Sequence, residues 1–237
     1  MTYWPETKAD RPGPPFLYGR VIVVAERKQP GLGAAERLGE ALRLHPLIAS
    51  VRDERSLEAA LDSRCRSIFL LATSIQRLDE VGQAVARAGK MLFVHLDFVA
   101  GLGRDEDALE YLVRTAHPAG LITTRSGMVQ SARRHGVIPL QRLFLLDSQS
   151  VHTGIEAARA SRAEVVEVLP GIVPRAIGAI RAQLPQTLII AGGLVRSARE
   201  VGRALQAGAS GISTSSAALW QMEPAEFEAA AKGGARA

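Results

Sequence analysis

The sequence feature that most constrains the fold is a repeating unit, in which a short apolar run is followed by a segment with helical periodicity. The eight runs that begin such units are residues 47–51, 68–71, 91–98, 120–123, 143–147, 165–169, 188–191 and 211–213. Strands that alternate with helices at this spacing are typical of a closed parallel barrel rather than an open sheet. We therefore predict an α/β protein with a (β/α)8 TIM-type barrel.

The connections between these runs are too short to hold a second domain, so residues 33–237 are predicted to form a single barrel domain. Five prolines occur within residues 1–32. Because proline disfavours both helix interiors and central strands, this segment is predicted to be an N-terminal arm, partly extended or disordered. A helix is expected to follow at about residues 33–44.

Composition narrows the class of protein. None of the apolar runs reaches the ~20 residues that a membrane span requires, and the N-terminus lacks the apolar core of a secretory signal. Cys65 is the one cysteine of the 237 residues, which excludes an intramolecular disulfide and predicts a buried, inert thiol. A cytoplasmic protein that does not engage membranes is the prediction, and self-association into a homo-oligomer stays open.

The balance of charged residues leaves two interpretations. The net charge is +5 and the isoelectric point is about 9.9, with arginine supplying most of the positive charge. Arginine-rich surfaces suit nucleic acids and phosphorylated partners, because guanidinium groups bind phosphate with two parallel hydrogen bonds. A compositional bias on an ordinary surface explains the same numbers, and charge alone favours it.

A phosphate site is predicted after the last two strands. Gly192 and Gly193 follow the seventh run, and Ser213, Thr214 and Ser215 lie at the end of the eighth. In a barrel of this type, these two loops and a short helix commonly bind phosphate through free backbone N–H groups. The alternative is that the glycines and hydroxyls only form turns.

Polar residues also follow other runs, which predicts a polar ring at one mouth of the barrel. The side chains of His95 and Asp97 are expected to face the same side of one strand, where they could bind a hydroxylated ligand or, with further ligands, a metal ion. Glu167 is expected to point inward, paired with Arg125 or Arg142, in a role that is either structural or ligand-binding.

The ring lacks the groups that most barrel catalysis requires. The sequence has no lysine at a strand end, and it shows neither a Ser/His/Asp order nor a cysteine nucleophile. We therefore predict no catalytic residue, no metal and no cofactor, and this scarcity favours sensing over catalysis.

Several sequence blocks, taken together and in order, resemble a known family. They are FVHLDFVAGLGRDEDALEYL, AGLITTRS, QRLFLLDSQS, EVLPGIVPRAI, IIAGGLV and ALQAGASGISTSSAALW, within a similarity that runs from about residue 47 to 220. By these motifs the chain is identified as a member of the glycerol-3-phosphate-responsive antiterminators, bacterial regulators of glycerol operons.

The resemblance implies a barrel that binds glycerol 3-phosphate and acts on the leader mRNA of a glycerol-utilisation operon. It implies that the glycine pair and the Ser213–Ser215 hydroxyls hold the phosphate of this small phosphorylated polyol. The side chains implied to read its hydroxyl groups are His95, Asp97, Arg125, Asp147 and Glu167.

Two other functions remain open on the residues alone. The first is a TIM-barrel enzyme of isomerase or lyase type that acts on a small phosphorylated substrate, with Glu167, Asp147 or His95 as acid or base. The second is a barrel that serves only as a scaffold.

Overall fold

A computed structural model describes residues 33–232, and the predicted arm of residues 1–32 lies outside that range. The barrel strands are β1 (Leu47–Val51), β2 (Ser67–Leu70), β3 (Met91–His95), β4 (Gly120–Thr123), β5 (Ile138–Phe144), β6 (Val165–Leu169), β7 (Leu188–Gly192) and β8 (Gly211–Thr214). Neighbouring strands pair in parallel and in chain order, and β8 pairs with β1 to close the barrel. The predicted (β/α)8 barrel is confirmed.

Helices separate the strands and cover the outside of the barrel. They are α1 (Ala34–Leu44), α2 (Glu54–Leu61), α3 (Leu78–Arg87), α4 (Glu106–Ala116), α5 (Ser126–Arg134), α6 (Ser148–Ser161), α7 (Pro174–Gln183), α8 (Ala198–Gln206), α9 (Ala217–Trp220) and α10 (Pro224–Lys232). Because each helix from α2 to α8 follows a strand, its first turn lies at the carboxyl end of the barrel. This end, which we call the mouth, therefore collects the helix caps.

The barrel interior is filled by the inward-facing side chain of each strand. Ile48, Phe69, Phe93 and Ile190 belong to one buried cluster, in which the two phenylalanine rings lie 5.3 Å apart. Side chains that alternate outward pack against the helices in a second cluster. The barrel is thus a packed core, with its free space restricted to its ends.

The helix predicted before the first strand forms as α1 and covers the end opposite the mouth. Its Leu38 and Leu42 are buried in the same cluster as the barrel interior. A Cβ atom at Gly211 would lie 2.6 Å from the Cδ2 atom of Leu42, so a larger residue at the start of β8 would displace this side chain of α1. Apolar side chains of α1 therefore close this end.

Two predicted strand boundaries are wrong. The third strand ends at His95, since residues Leu96–Phe98 form a 3-10 turn, and Asp97 is therefore not on the strand. The fifth strand begins at Ile138, five residues earlier than predicted, and ends before Asp147. Polar residues within the fifth strand concealed its extent in the sequence, although each of them is paired in the structure.

Candidate functional site

A cavity of about 130 Å³ opens at the mouth, beside the carboxyl ends of β1, β5, β6, β7 and β8. The residues that line it are Ser50, Arg52, Leu71, Arg142, Glu167, Leu169, Gly193, Leu194, Val195, Arg196, Ser213, Thr214 and Ser215. Its volume is well below the roughly 300–1,000 Å³ of drug-sized ligand sites. The cavity therefore suits a molecule of a few non-hydrogen atoms.

The floor of the cavity holds a buried ion pair. In the register of β5 with β6, Arg142 lies beside Glu167, and both the Nε and Nη2 atoms of Arg142 lie 2.7 Å from Oε2 of Glu167. The Ser213 hydroxyl donates to the other carboxylate oxygen, Oε1, at 2.5 Å. Both side chains are at most 8% exposed. Of the two arginines that the sequence offered as partners of Glu167, the structure selects Arg142.

Gly192 is required by this ion pair. A Cβ atom at this position would collide with the Ser213 hydroxyl and would lie 2.5 Å from Oε1 of Glu167. Gly192 thus permits strand β7 to pass close to the carboxylate of Glu167. The role of this glycine is therefore in packing.

The loop after β7 has an unusual backbone. Gly193 and Leu194 have φ angles of 74° and 63°, and leucine is uncommon in this left-handed region. The Gly171 N–H donates to the carbonyl oxygens of Gly192 and Gly193, which fixes the loop against the one that follows β6. Within residues 33–232, the N–H groups of Gly193, Leu194 and Ser215 donate to no protein acceptor. These N–H groups are therefore free to bind an anion.

The hydroxyl groups after β8 divide into different roles. Thr214 donates to the Val195 carbonyl oxygen at 2.7 Å and accepts from the Ser216 N–H, so it ties the two final loops together. Ser213 is engaged with Glu167, as described above. Ser215 lines the cavity beside them. The two loops predicted to bind phosphate are therefore adjacent and share one cavity.

The cavity lining carries a net positive charge. Arg52, Arg142 and Arg196 line it together with the single carboxylate of Glu167, which leaves two net positive charges among these residues. Arg52 and Arg196 are exposed at the rim, whereas Arg142 lies on the floor. Of these three arginines, sequence reasoning singled out only Arg142, as a possible partner of Glu167. It missed Ser50, whose inward direction follows from its spacing of two from Ile48.

His95 lies inside the barrel near this cavity, but it does not line it. It is 3% exposed, its ring is 4.4 Å from that of Phe98, and its Nδ1 atom has no hydrogen-bond partner among the described residues. Burial, assisted by the positive charge of Arg142, lowers the pKa of His95 to about 3. The imidazole is therefore neutral at physiological pH.

Asp97 belongs to a second cluster at the mouth. Its carboxylate lies 3.3 Å from Arg125 and 3.7 Å from Arg104, and 3.9 Å from Nδ1 of His95, which is too long for a hydrogen bond. The expectation that His95 and Asp97 share one face of a strand is wrong, because the 3-10 turn intervenes. Asp97 and Arg125 lie outside the cavity lining.

Asp147 caps a helix. Its carboxylate accepts the Ser150 N–H at 2.7 Å at the start of α6, and the Ser150 hydroxyl bonds back to the Asp147 N–H. Asp53, Asp105 and Ser197 likewise accept the N–H of the third residue after them, at the starts of α2, α4 and α8. Asp147 is exposed and outside the cavity lining. The structure thus gathers Glu167 and the glycine and hydroxyl loops, but not the other residues predicted to bind the polyol.

Within residues 33–232, no three His, Cys, Asp or Glu side chains form a group that could hold a metal ion. Over the same range, every helix is too short or too polar to traverse a lipid bilayer.

Comparisons with known proteins agree with the motifs. The family model described as glycerol-3-phosphate responsive antiterminator matches residues 47–220. The uncharacterized protein YgcP of Escherichia coli is 33% identical over 181 residues, which cover 76% of this chain and 94% of the relative.

Two solved structures are also similar. The glycerol uptake operon antiterminator regulatory protein of Listeria monocytogenes has a TM-score of 0.71 and 28% identity, over 74% of this chain and 95% of the other. A glycerol uptake operon antiterminator-related protein of Thermotoga maritima has a TM-score of 0.67 and 35% identity, over 74% and 98% of the two chains.

Proposed function

The chain belongs to the glycerol-3-phosphate-responsive antiterminators, and from this premise we propose that it is a regulator that binds glycerol 3-phosphate at the barrel mouth. In the ligand-bound state it acts on the leader mRNA of a glycerol-utilisation operon and prevents transcription termination. The site for the ligand is the cavity between the loops after β7 and β8.

The observation that carries this proposal is the charge of the cavity. Its lining has three arginines and one carboxylate, and therefore two net positive charges. A phosphate monoester carries about 1.5 to 2 negative charges at neutral pH, so the ligand neutralises the lining almost completely. The free N–H groups of Gly193, Leu194 and Ser215 supply donors for the phosphate oxygens.

The floor of the cavity suits the glycerol end of the ligand. Arg142 and Glu167 present a fixed donor and acceptor pair there, and Ser50 adds a hydroxyl. A buried site of polar groups discriminates strongly against a ligand that leaves those groups unpaired. Glycerol 3-phosphate is therefore expected to bind more tightly than either inorganic phosphate or glycerol.

The enzyme alternative requires Glu167, Asp147 or His95 to exchange a proton with the ligand. Arg142 and Ser213 already engage both oxygens of Glu167, and Asp147 caps α6 outside the cavity. These contacts favour a regulator over an isomerase or lyase. Incubation with glycerol 3-phosphate followed by phosphorus NMR tests the alternative directly, because any turnover produces a new resonance.

Calorimetric titration tests the ligand assignment. Glycerol 3-phosphate is expected to bind the full chain, and Arg196→Gln is expected to weaken binding about 10- to 100-fold, the loss typical of one charge-assisted hydrogen bond. Arg55→Gln is the matched control, since Arg55 is exposed on the first turn of α2 and outside the cavity lining. Equal affinity of Arg196→Gln and the wild type would contradict the site.

A gel shift tests the RNA partner. The leader RNA of a glycerol-utilisation operon from the same genome is expected to be retarded more strongly with glycerol 3-phosphate than without it. Identical retardation of a scrambled RNA of the same length would contradict a specific regulator.

A further inference from the structure

The two ends of the barrel differ in charge. The end opposite the mouth is formed by the last turns of α1–α8 and by the connections that lead from these helices into β1–β8. We call the cationic side chains of these segments the basic ring. This ring has twelve members, against three carboxylates in the same segments. They are Arg43, Arg64, Arg66, Arg87, Lys90, Arg114, Arg133, Arg134, Arg159, Arg162, Arg181 and Arg203.

Neighbouring elements reduce this charge without abolishing it. Helix α1, which covers the same end, adds Glu36, Arg37 and Glu40, and Glu223 forms an ion pair with Arg64 at 2.7 Å. Glu226 accepts from the Glu223 N–H at 2.6 Å, and Glu106 pairs with Arg134 at 2.7 Å. Thirteen cations and eight carboxylates are then counted with this end among the described residues, which leaves five net positive charges.

The mouth has the opposite balance. Apart from Glu106, which is counted with Arg134, the segments from the end of each barrel strand through the first turn of the next helix hold eight arginines and nine carboxylates, a net of one negative charge. Exposed apolar side chains such as Phe98, Leu146 and Leu194 also occur there. The mouth as a whole therefore has no excess of positive charge to attract a polyanion, although the lining of its cavity is positively charged.

Part of the basic ring stabilises the fold. Lys90 donates to the carbonyl oxygens of Ser63 and Cys65, and Arg181 donates to several carbonyl oxygens around the start of β7. Cations near helix C-termini also offset the helix dipole, which accounts for some of the remainder. Arg133 and Arg134 are likewise engaged with carbonyl or carboxylate oxygens.

Other members have no such role. Five arginines of the ring are exposed and form no side-chain hydrogen bond or ion pair with any described residue. These are Arg43, Arg66, Arg87, Arg162 and Arg203. They come from five of the eight helix-to-strand connections, so free guanidinium groups are distributed around this end of the barrel.

We propose that the basic ring is the surface on which RNA binds, at the end of the barrel opposite the ligand cavity. The proposal rests on the proposed function, which supplies the RNA. Repeated backbone phosphates complement a ring of exposed arginines, whereas a second copy of this face would bring five net positive charges against five. Ligand and RNA then occupy separate surfaces and bind at the same time.

The proposal is tested by measuring the affinity of the full chain for a labelled leader RNA by fluorescence anisotropy. Glycerol 3-phosphate is present throughout, and the monovalent salt concentration is varied from 0.1 to 0.4 M. The test variant is Arg66→Gln/Arg87→Gln, from two adjacent connections. The matched control is Arg55→Gln/Arg175→Gln, two exposed arginines on the first turns of α2 and α7 at the mouth.

The expected result follows from counterion release, in which each phosphate contact contributes about 0.7 to the salt slope for single-stranded RNA. Loss of two contacts lowers the slope by about 1.4 and weakens binding about 25-fold at 0.1 M salt. The control pair is expected to stay within about 3-fold of the wild type. Arg66→Lys/Arg87→Lys is expected to retain most of the affinity, because a phosphate contact requires a positive charge rather than the two parallel hydrogen bonds of a guanidinium group.

Four outcomes overturn the proposal. If the wild type binds RNA and the test variant binds it with unchanged affinity, only the assignment of the surface fails. The same holds if the control variant Arg55→Gln/Arg175→Gln weakens binding as much as the test variant does. If the test variant also loses affinity for glycerol 3-phosphate, the effect passes through the fold and the surface is again not supported. If the wild type binds no leader RNA under any condition, the proposed function fails with it.

Discussion

Substitution of Glu167 is the most direct test of how the candidate site is built. In Glu167→Gln, the amide oxygen can still accept from Arg142, and the amide nitrogen can donate to the Ser213 hydroxyl, so the shape of the contact is retained. The negative charge is lost, however, and Arg142 remains as a buried cation without a counter-charge. Breaking a buried pair in this way costs about 3–5 kcal/mol.

This cost is large relative to the stability of a typical domain. For a chain of this size, 1 kcal/mol lowers the thermal midpoint by roughly 2–4 °C, so Glu167→Gln is expected to melt about 6–20 °C below the wild type. Circular dichroism melts provide the measurement. Glu164→Gln is the control, because Glu164 is exposed and lies 3.5 Å from Arg133 at the surface, where an ion pair contributes at most about 1 kcal/mol.

A double-mutant cycle separates the ion pair from local packing. Arg142→Met alone leaves Glu167 without its counter-charge, whereas Arg142→Met/Glu167→Gln removes both charges together. The double variant is expected to be at least about 2 kcal/mol more stable than the sum of the single effects predicts. Additive effects within about 0.5 kcal/mol would refute the coupling that the geometry implies.

Three further perturbations have expected outcomes. Gly192→Ala places a methyl group against Ser213 and Glu167, so we expect a loss of about 1–3 kcal/mol of stability and of glycerol 3-phosphate binding; a variant that melts and titrates like the wild type would contradict this. Burial lowers the pKa of His95 to about 3, below its ordinary 6.5, so the unfolded state binds the extra proton between these values. The stability that this shift contributes is fully present above pH 6.5 and is lost as the pH falls, by about 2 kcal/mol at pH 5. His95→Asn should therefore show a smaller fall in thermal midpoint between pH 7 and pH 5 than the wild type. Burial raises the pKa of Cys65 from 9.0 to about 11, so iodoacetamide at pH 8 should alkylate it about 100-fold more slowly than a free thiol. In denaturant the rate of alkylation should return to that of a free thiol. Rapid labelling of the native protein would be inconsistent with a buried Cys65.

The periodicity of the sequence predicted the barrel because each strand of such a fold is a short apolar run between amphipathic helices. The same alternation indicated that Glu167 points inward. Its partner was not predictable, since the choice between Arg125 and Arg142 depends on the register of β5 against β6, which is set by three-dimensional pairing. Whether the enclosed cavity binds glycerol 3-phosphate stays a prediction.

The residues around the predicted polar ring show where sequence reasoning was insufficient. Asp147 is followed three residues later by Ser150, a pairing typical of a helix N-cap, and this signal was available in the sequence. Asp97 was placed on a strand because an apolar run continues through Phe98, whereas the chain turns after His95. The apolar run extends past the end of the strand to the exposed Phe98, so the length of a run does not mark where its strand ends.

Helix α1 sets the practical limits of the folding unit. The family similarity begins at residue 47, yet Leu38 and Leu42 occupy the barrel interior from outside that region. A truncation designed from the family boundary would leave the inner faces of strands such as β1 and β7 in contact with water. Any shortened version of this protein should therefore begin before residue 34, where α1 starts, rather than at the first residue that its relatives share.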